Sequence, residues 1–98
     1  MEIIKKLDGD KFELKVEGRL DTTTAPELEE VIVAGIEGVK ELVFDFAGLD
    51  YISSAGLRVL LSAQKIMNKQ GSMKLINVSK EVNEIFEVTG FSDILTIE

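Results

Sequence analysis

The chain has 98 residues, 45% hydrophobic and 30% charged, with one proline, which is material for one folded domain over 1–98 and excludes both a two-domain enzyme and a disordered chain. Eighteen acidic against eleven basic residues give a net charge of −7 with no basic run; that balance repels a phosphate backbone or an anionic membrane, so neither nucleic acid nor membrane is expected as a partner. Cysteine and histidine are both absent, which removes thiol catalysis, disulfides, zinc sites and imidazole general bases together.

Met1-Glu2-Ile3-Ile4-Lys5-Lys6 lacks the apolar core of a signal peptide, and the longest uncharged apolar stretch, Val31 to Ile36, cannot span a bilayer. A cytoplasmic location is expected. Ile3 to Leu7 reads as a first strand, and Asp8-Gly9-Asp10 supplies the turn residues of a hairpin. In the second strand Phe12, Leu14 and Val16 alternate with Lys11, Glu13, Lys15 and Glu17, the period of a sheet with one face in water. Gly18 to Thr24 reads as a loop, and Pro26 suits the first turn of a helix beginning near Ala25. That helix presents Leu28, Val31, Ile32 and Ile36 as its buried side and ends at Gly35 and Gly38. Glu27, Glu29 and Glu30 sit early in it, where the helix dipole favours anions.

Glu41 to Phe46 is a β-favouring run suited to the sheet centre, followed by the connecting segment Ala47 to Ser53. Leu57, Leu60, Leu61 and Met67 then recur at helical spacing until Gln70-Gly71. Lys74 to Val78 reads as a strand. Ser79 reads as the cap of a third helix whose face is Val82, Ile85, Phe86 and Thr89, closed by Gly90, and Ile94 to Ile97 as a last strand. This order predicts an α/β fold with a mixed sheet, an opening hairpin and crossover helices. Functional sites in such sheets lie beyond the carboxyl ends of parallel strands, which selects Arg19 to Thr24 and Gly48 to Gly56.

Leu49-Asp50-Tyr51-Ile52-Ser53-Ser54-Ala55-Gly56-Leu57 is the most informative stretch, because two adjacent serines precede a helix. A serine there either caps the helix or, once phosphorylated, gains from the unpaired N–H groups and positive dipole end. Gly56 either admits a partner to the backbone or lets the helix pack tightly. Asp21, or one of Thr22, Thr23 and Thr24, is a ready cap for the first helix.

Gly18-Arg19-Leu20-Asp21 and Tyr51-Ile52-Ser53-Ser54-Ala55-Gly56-Leu57, at this separation, resemble the motifs of the STAS family, the anti-sigma factor antagonists. Phe86-Glu87-Val88-Thr89-Gly90-Phe91 resembles the end of that family's third helix. The resemblance implies a STAS-type fold and a small switch protein without cofactor or catalytic group. Such a protein is bound and phosphorylated on one serine by an anti-sigma factor serine kinase and restored by a serine phosphatase of the metal-dependent type. Unmodified, it would sequester the kinase and free a sigma factor. By position the phosphoacceptor is Ser54, with Ser53 as second choice. Asp21 would sit near the acceptor, and Thr22, Thr24, Tyr51, Ile52, Ser53, Gly56, Leu57 and Arg58 would complete the partner-binding surface. Leu20, Tyr51, Ile52 and Leu57 supply apolar groups for it.

Three positions depart from the best-known members: Ser53 stands where they carry aspartate, Ala55 follows the acceptor in place of Ser or Thr, and Arg58 replaces a small residue. Arg58 offers a positive group near a phosphate at Ser54. Many relatives also continue into a further helix beyond the position of Glu98. An enzyme is not expected: a serine at a strand-to-helix turn suggests a nucleophile elbow, but Ser53-Ser54-Ala55-Gly56 is not G-x-S-x-G and no histidine base exists. The remaining alternative is a STAS scaffold or a nucleotide- or small-ligand-binding module outside kinase control. Against a phosphate loop, Gly35 and Gly38 end a helix and do not open one.

Overall fold

The computed structural model describes residues 1–98. Strand β1 (Glu2–Asp8) and strand β2 (Lys11–Leu20) form the expected antiparallel hairpin, with Ile3 opposite Val16 and Leu7 opposite Phe12. The alternation in β2 sorts its side chains as the sequence requires: Phe12, Leu14 and Val16 are buried while the intervening residues are exposed or half-buried.

β2 continues past the expected end at Glu17, and this extension organises the rest. Lys11–Lys15 pair in parallel with strand β3 (Glu41–Asp45). Gly18–Leu20 pair in parallel with strand β4 (Leu49–Ile52), in the segment expected to be only a connection. Gly18 faces Leu49 and Arg19 faces Tyr51, so Asp50 is the bulged residue left without a partner. Strand β5 (Ser72–Ile76) lies beyond β3, also parallel, giving the order β1-β2-β3-β5 with β4 on β2.

Two strand expectations are corrected. β5 starts and ends two residues before Lys74 to Val78, because Ile76 already accepts the Phe46 N–H at 3.0 Å and Asn77 turns to φ 57°. Ile94 to Ile97 does not form a strand. A short 3-10 turn (Phe91–Asp93) follows the third helix, Leu95 is buried, and Ile97 makes one isolated bridge to Leu75.

Helices α1 (Ala25–Gly35), α2 (Ser54–Gln70) and α3 (Lys80–Thr89) begin and end close to the expected positions. Ser79 Oγ accepts the Val82 N–H at 3.2 Å, and Gly90 closes α3 at φ 81°. Leu28 and Ile32 of α1, Leu57, Leu60 and Met67 of α2, and Val82 and Phe86 of α3 join Leu14, Phe44 and Leu75 of the sheet in one continuous core. Each such side chain contributes about 1.5–3 kcal/mol on burial. Val31, Leu61 and Ile85 are only half-buried, and Thr89 is exposed, its hydroxyl donating to the Ile85 carbonyl at 2.7 Å. All three helices therefore cover one face of the sheet; the other carries Glu13, Lys15 and Lys74, the last 3.9 Å from Glu41 and 3.8 Å from Glu98. The carboxyl ends of β2 and β4 lead directly into the loops that open α1 and α2.

Candidate functional site

The two selected loops lie side by side because β2 and β4 are paired: Leu20 faces Ile52, and the Ser53 N–H donates to the Leu20 carbonyl at 2.8 Å. Asp21 and Ser53–Ser54 follow this pairing at the same end of the sheet.

The adjacent serines have different environments. Ser53 has extended backbone angles, φ −97° and ψ 175°, and its Oγ accepts the Gly56 N–H at 3.4 Å, the geometry of an N-cap. Ser54 is the first residue of α2, exposed, with its hydroxyl outside the cap. Arg58 is exposed four residues on, which puts it on the same helix face as Ser54.

Gly56 is buried, and its missing side chain faces inward. A Cβ there would lie 2.7 Å from Leu20 Cγ and 2.8 Å from Ile52 Cγ1. Tight packing of α2 onto the strand ends, and not approach of a partner, explains this glycine. The same packing corrects the apolar surface: Leu20, Ile52 and Leu57 are 0%, 1% and 5% exposed. They set the height of α2 from beneath and offer no side-chain contact. Of the four apolar residues, Tyr51 alone reaches solvent, at 36% exposure, and the Arg19 guanidinium stacks 4.3 Å from its ring centroid.

Asp21 organises the first loop. Its Oδ1 accepts the Thr23 N–H at 3.0 Å and the Thr24 N–H at 3.1 Å, while Oδ2 lies 3.9 Å from Arg19 Nε. The backbone hydrogen bond from Thr24 is the largest influence; desolvation, the next largest, opposes it, and the further hydrogen bonds from Thr23 and the Thr24 hydroxyl together with the charge of Arg19 leave the carboxyl below the usual aspartate range. Thr24 Oγ1 accepts the Asp21 N–H at 2.8 Å and donates to the Arg19 carbonyl at 2.8 Å. The Thr24 hydroxyl is thus committed to tying β2 to α1, which removes it from the outward surface. Thr24 itself has helical backbone angles and makes no side-chain cap; Asp21, three residues earlier, does the capping.

Thr22 is exposed and lines a cleft of about 220 Å³ between the first turns of α1 and α2, with Pro26, Glu29, Ala55, Arg58 and Val59. Arg19 lies in the selected first loop, but its stacking on Tyr51 was not legible in the sequence, nor were Glu29 and Val59 as site residues. Arg19 needs the β2–β4 pairing that sets it against Tyr51, and the other two need the α1–α2 approach. No cluster of three or more carboxylates able to hold a metal ion is present, and no helix is long and apolar enough to cross a membrane.

The STAS domain family model matches residues 3–98. Among curated relatives, the anti-sigma-B factor antagonist of Staphylococcus epidermidis is 33% identical over 90 residues, covering 90% of this chain and 83% of that protein. Among solved structures, the anti-sigma factor antagonist SpoIIAA in its unphosphorylated form superposes with TM-score 0.85 at 18% identity, covering 99% of this chain and 88% of that one. The Bacillus cell fate determinant SpoIIAA in the phosphorylated form gives TM-score 0.77 at 17% identity, with coverage of 99% and 91%. The chain belongs to the STAS domain family.

Proposed function

We propose that this chain is an anti-sigma factor antagonist whose binding to an anti-sigma factor serine kinase is switched by phosphorylation of Ser54. The observation that carries the reading is the division between the two serines: Ser53 is used as the cap of α2, and Ser54 stands exposed at its first helical position. The names of the relatives support the antagonist role, and a relative solved in a phosphorylated form supports a covalent switch.

The switch needs no catalytic group in this protein. A phosphoryl group on Ser54 adds about −1.5 to −2 charges at a helix N-terminus, where the N–H groups of the first turn and the dipole favour an anion. Arg58, one turn further, supplies a charge-assisted donor. The fold therefore tolerates the modification. A partner packed on the same surface must desolvate the dianion beside Asp21, so it loses affinity. Tyr51, Thr22, Asp21 and Arg58 form the outward part of that surface, with Ile52, Gly56 and Leu57 supporting it from below. A serine phosphatase of the metal-dependent type returns the protein to its binding form, in the cytoplasm, where sigma factors act.

The test is incubation with ATP and the serine kinases of the source organism, followed by intact mass and site mapping. The expected result is one phosphoryl group on Ser54, abolished by Ser54→Ala and retained in Ser53→Ala. Modification of Ser53, or of neither serine by any of those kinases, overturns the assignment.

A further inference from the structure

β1 is the outer strand of the sheet, and its far edge is unpaired along Glu2–Asp8. Such an edge is a template for another strand, and proteins commonly blunt it with lysines, here Lys5 and Lys6. Two apolar side chains on it nevertheless reach water, Ile4 at 48% and Leu7 at 61% exposure. Beside Leu7 a groove of about 320 Å³ opens between β1 and α1, walled by Phe12, Val31 and Ala34. Glu2 also stands directly opposite Glu17 of β2, a like-charge pair within the monomer.

We propose that this edge pairs antiparallel with the same edge of a second copy of this chain, joining two sheets into one. A two-fold axis normal to the sheet keeps both cores on one side and pairs residues of the same face, so the centre of the pairing falls on a residue. Centred on Lys5, the register sets Lys5 against Lys5 and Glu2 against Asp8, all like charges. Centred on Ile4, it sets Ile4 against Ile4, Ile3 against Lys5, and Glu2 against Lys6 twice. Met1 of the second copy then faces Leu7 at the groove. In this register no like charges oppose each other, and Glu2 gains the cation it lacks in the monomer. The lysines that guard the edge against an arbitrary strand complement this strand in particular.

The test is sedimentation equilibrium of the full chain over a wide concentration range, with folding checked by circular dichroism. The wild type is expected to dimerise, and Glu2→Lys and Lys6→Glu each to weaken the dimer on the order of tenfold, since two symmetric pairs turn repulsive at once. Glu2→Lys faces Glu17 in its own chain, so a loss of dimer there does not reflect a damaged fold. The double variant Glu2→Lys/Lys6→Glu restores the pairs and is expected to restore the dimer. A wild type that stays monomeric, a dimer indifferent to Glu2→Lys, or a double variant no better than the singles overturns the proposal.

Discussion

The backbone of Gly56 lies against the side chain of Leu20: a Cβ on Gly56 would sit 2.7 Å from Leu20 Cγ and 2.8 Å from Ile52 Cγ1. The first turn of α2 thus rests directly on the last residues of β2 and β4, and the position of Ser54 is fixed by that contact.

Gly56→Ala is therefore expected to destabilise the protein by about 1–3 kcal/mol, the usual cost of inserting an atom into a closed core. Urea unfolding measures it. Leu20→Ala in the same chain removes the nearer obstacle, so the two changes together should cost less than the sum of each alone.

The two serines should separate in a pair of measurements. Ser53→Ala removes the cap on the Gly56 N–H and should cost about 1 kcal/mol, while Ser54→Ala, an exposed change outside the cap, should stay within about 0.5 kcal/mol of wild type. Kinase assays should show the reverse pattern, with phosphorylation lost only in Ser54→Ala.

Asp21 gives the fold an acid sensitivity of known sign. Its carboxyl is held below the ordinary range chiefly by the backbone hydrogen bond from Thr24, so the native state favours the ionised form more than the unfolded chain does. The resulting stability is complete above the unfolded pKa of about 3.9 and is lost as the pH falls through the lower native value. Asp21→Asn keeps an acceptor for Thr23 and Thr24 but does not titrate. Urea midpoints followed from pH 6 downward should fall less steeply in this variant than in the wild type.

Phosphorylation of Ser54 should raise thermal stability, because the dianion joins the α2 N-terminus and Arg58; the gain expected at a helix terminus is on the order of 1 kcal/mol. Arg58→Ala should reduce the rise in Tm on phosphorylation and leave the unmodified protein almost unchanged.

Much of this architecture is written in local patterns. The alternation in Phe12–Val16 and the Ser79 and Gly90 caps mark their elements without tertiary information. β4 is different. It has four residues, of which Asp50 is a bulge, and it exists through pairing with Gly18–Leu20, residues that also read as a loop. Two weak segments become strands by meeting each other, a long-range relationship with no local signature. The same cause hid the outward surface. As loops, both segments would leave Ile52 and Leu57 at the surface, whereas the paired strands and Gly56 pull them into the core. The roles of Ser53 and Ser54 are a matter of one helical residue, which spacing alone does not resolve.

The switch is read by titrating the anti-sigma factor serine kinase with three forms of this protein: unmodified, phosphorylated on Ser54, and Ser54→Ala. The unmodified and Ser54→Ala forms are expected to bind alike, and the phosphorylated form at least tenfold more weakly, a difference of about 1.4 kcal/mol or more. A phosphorylated form that binds as tightly as the unmodified one would contradict the switch.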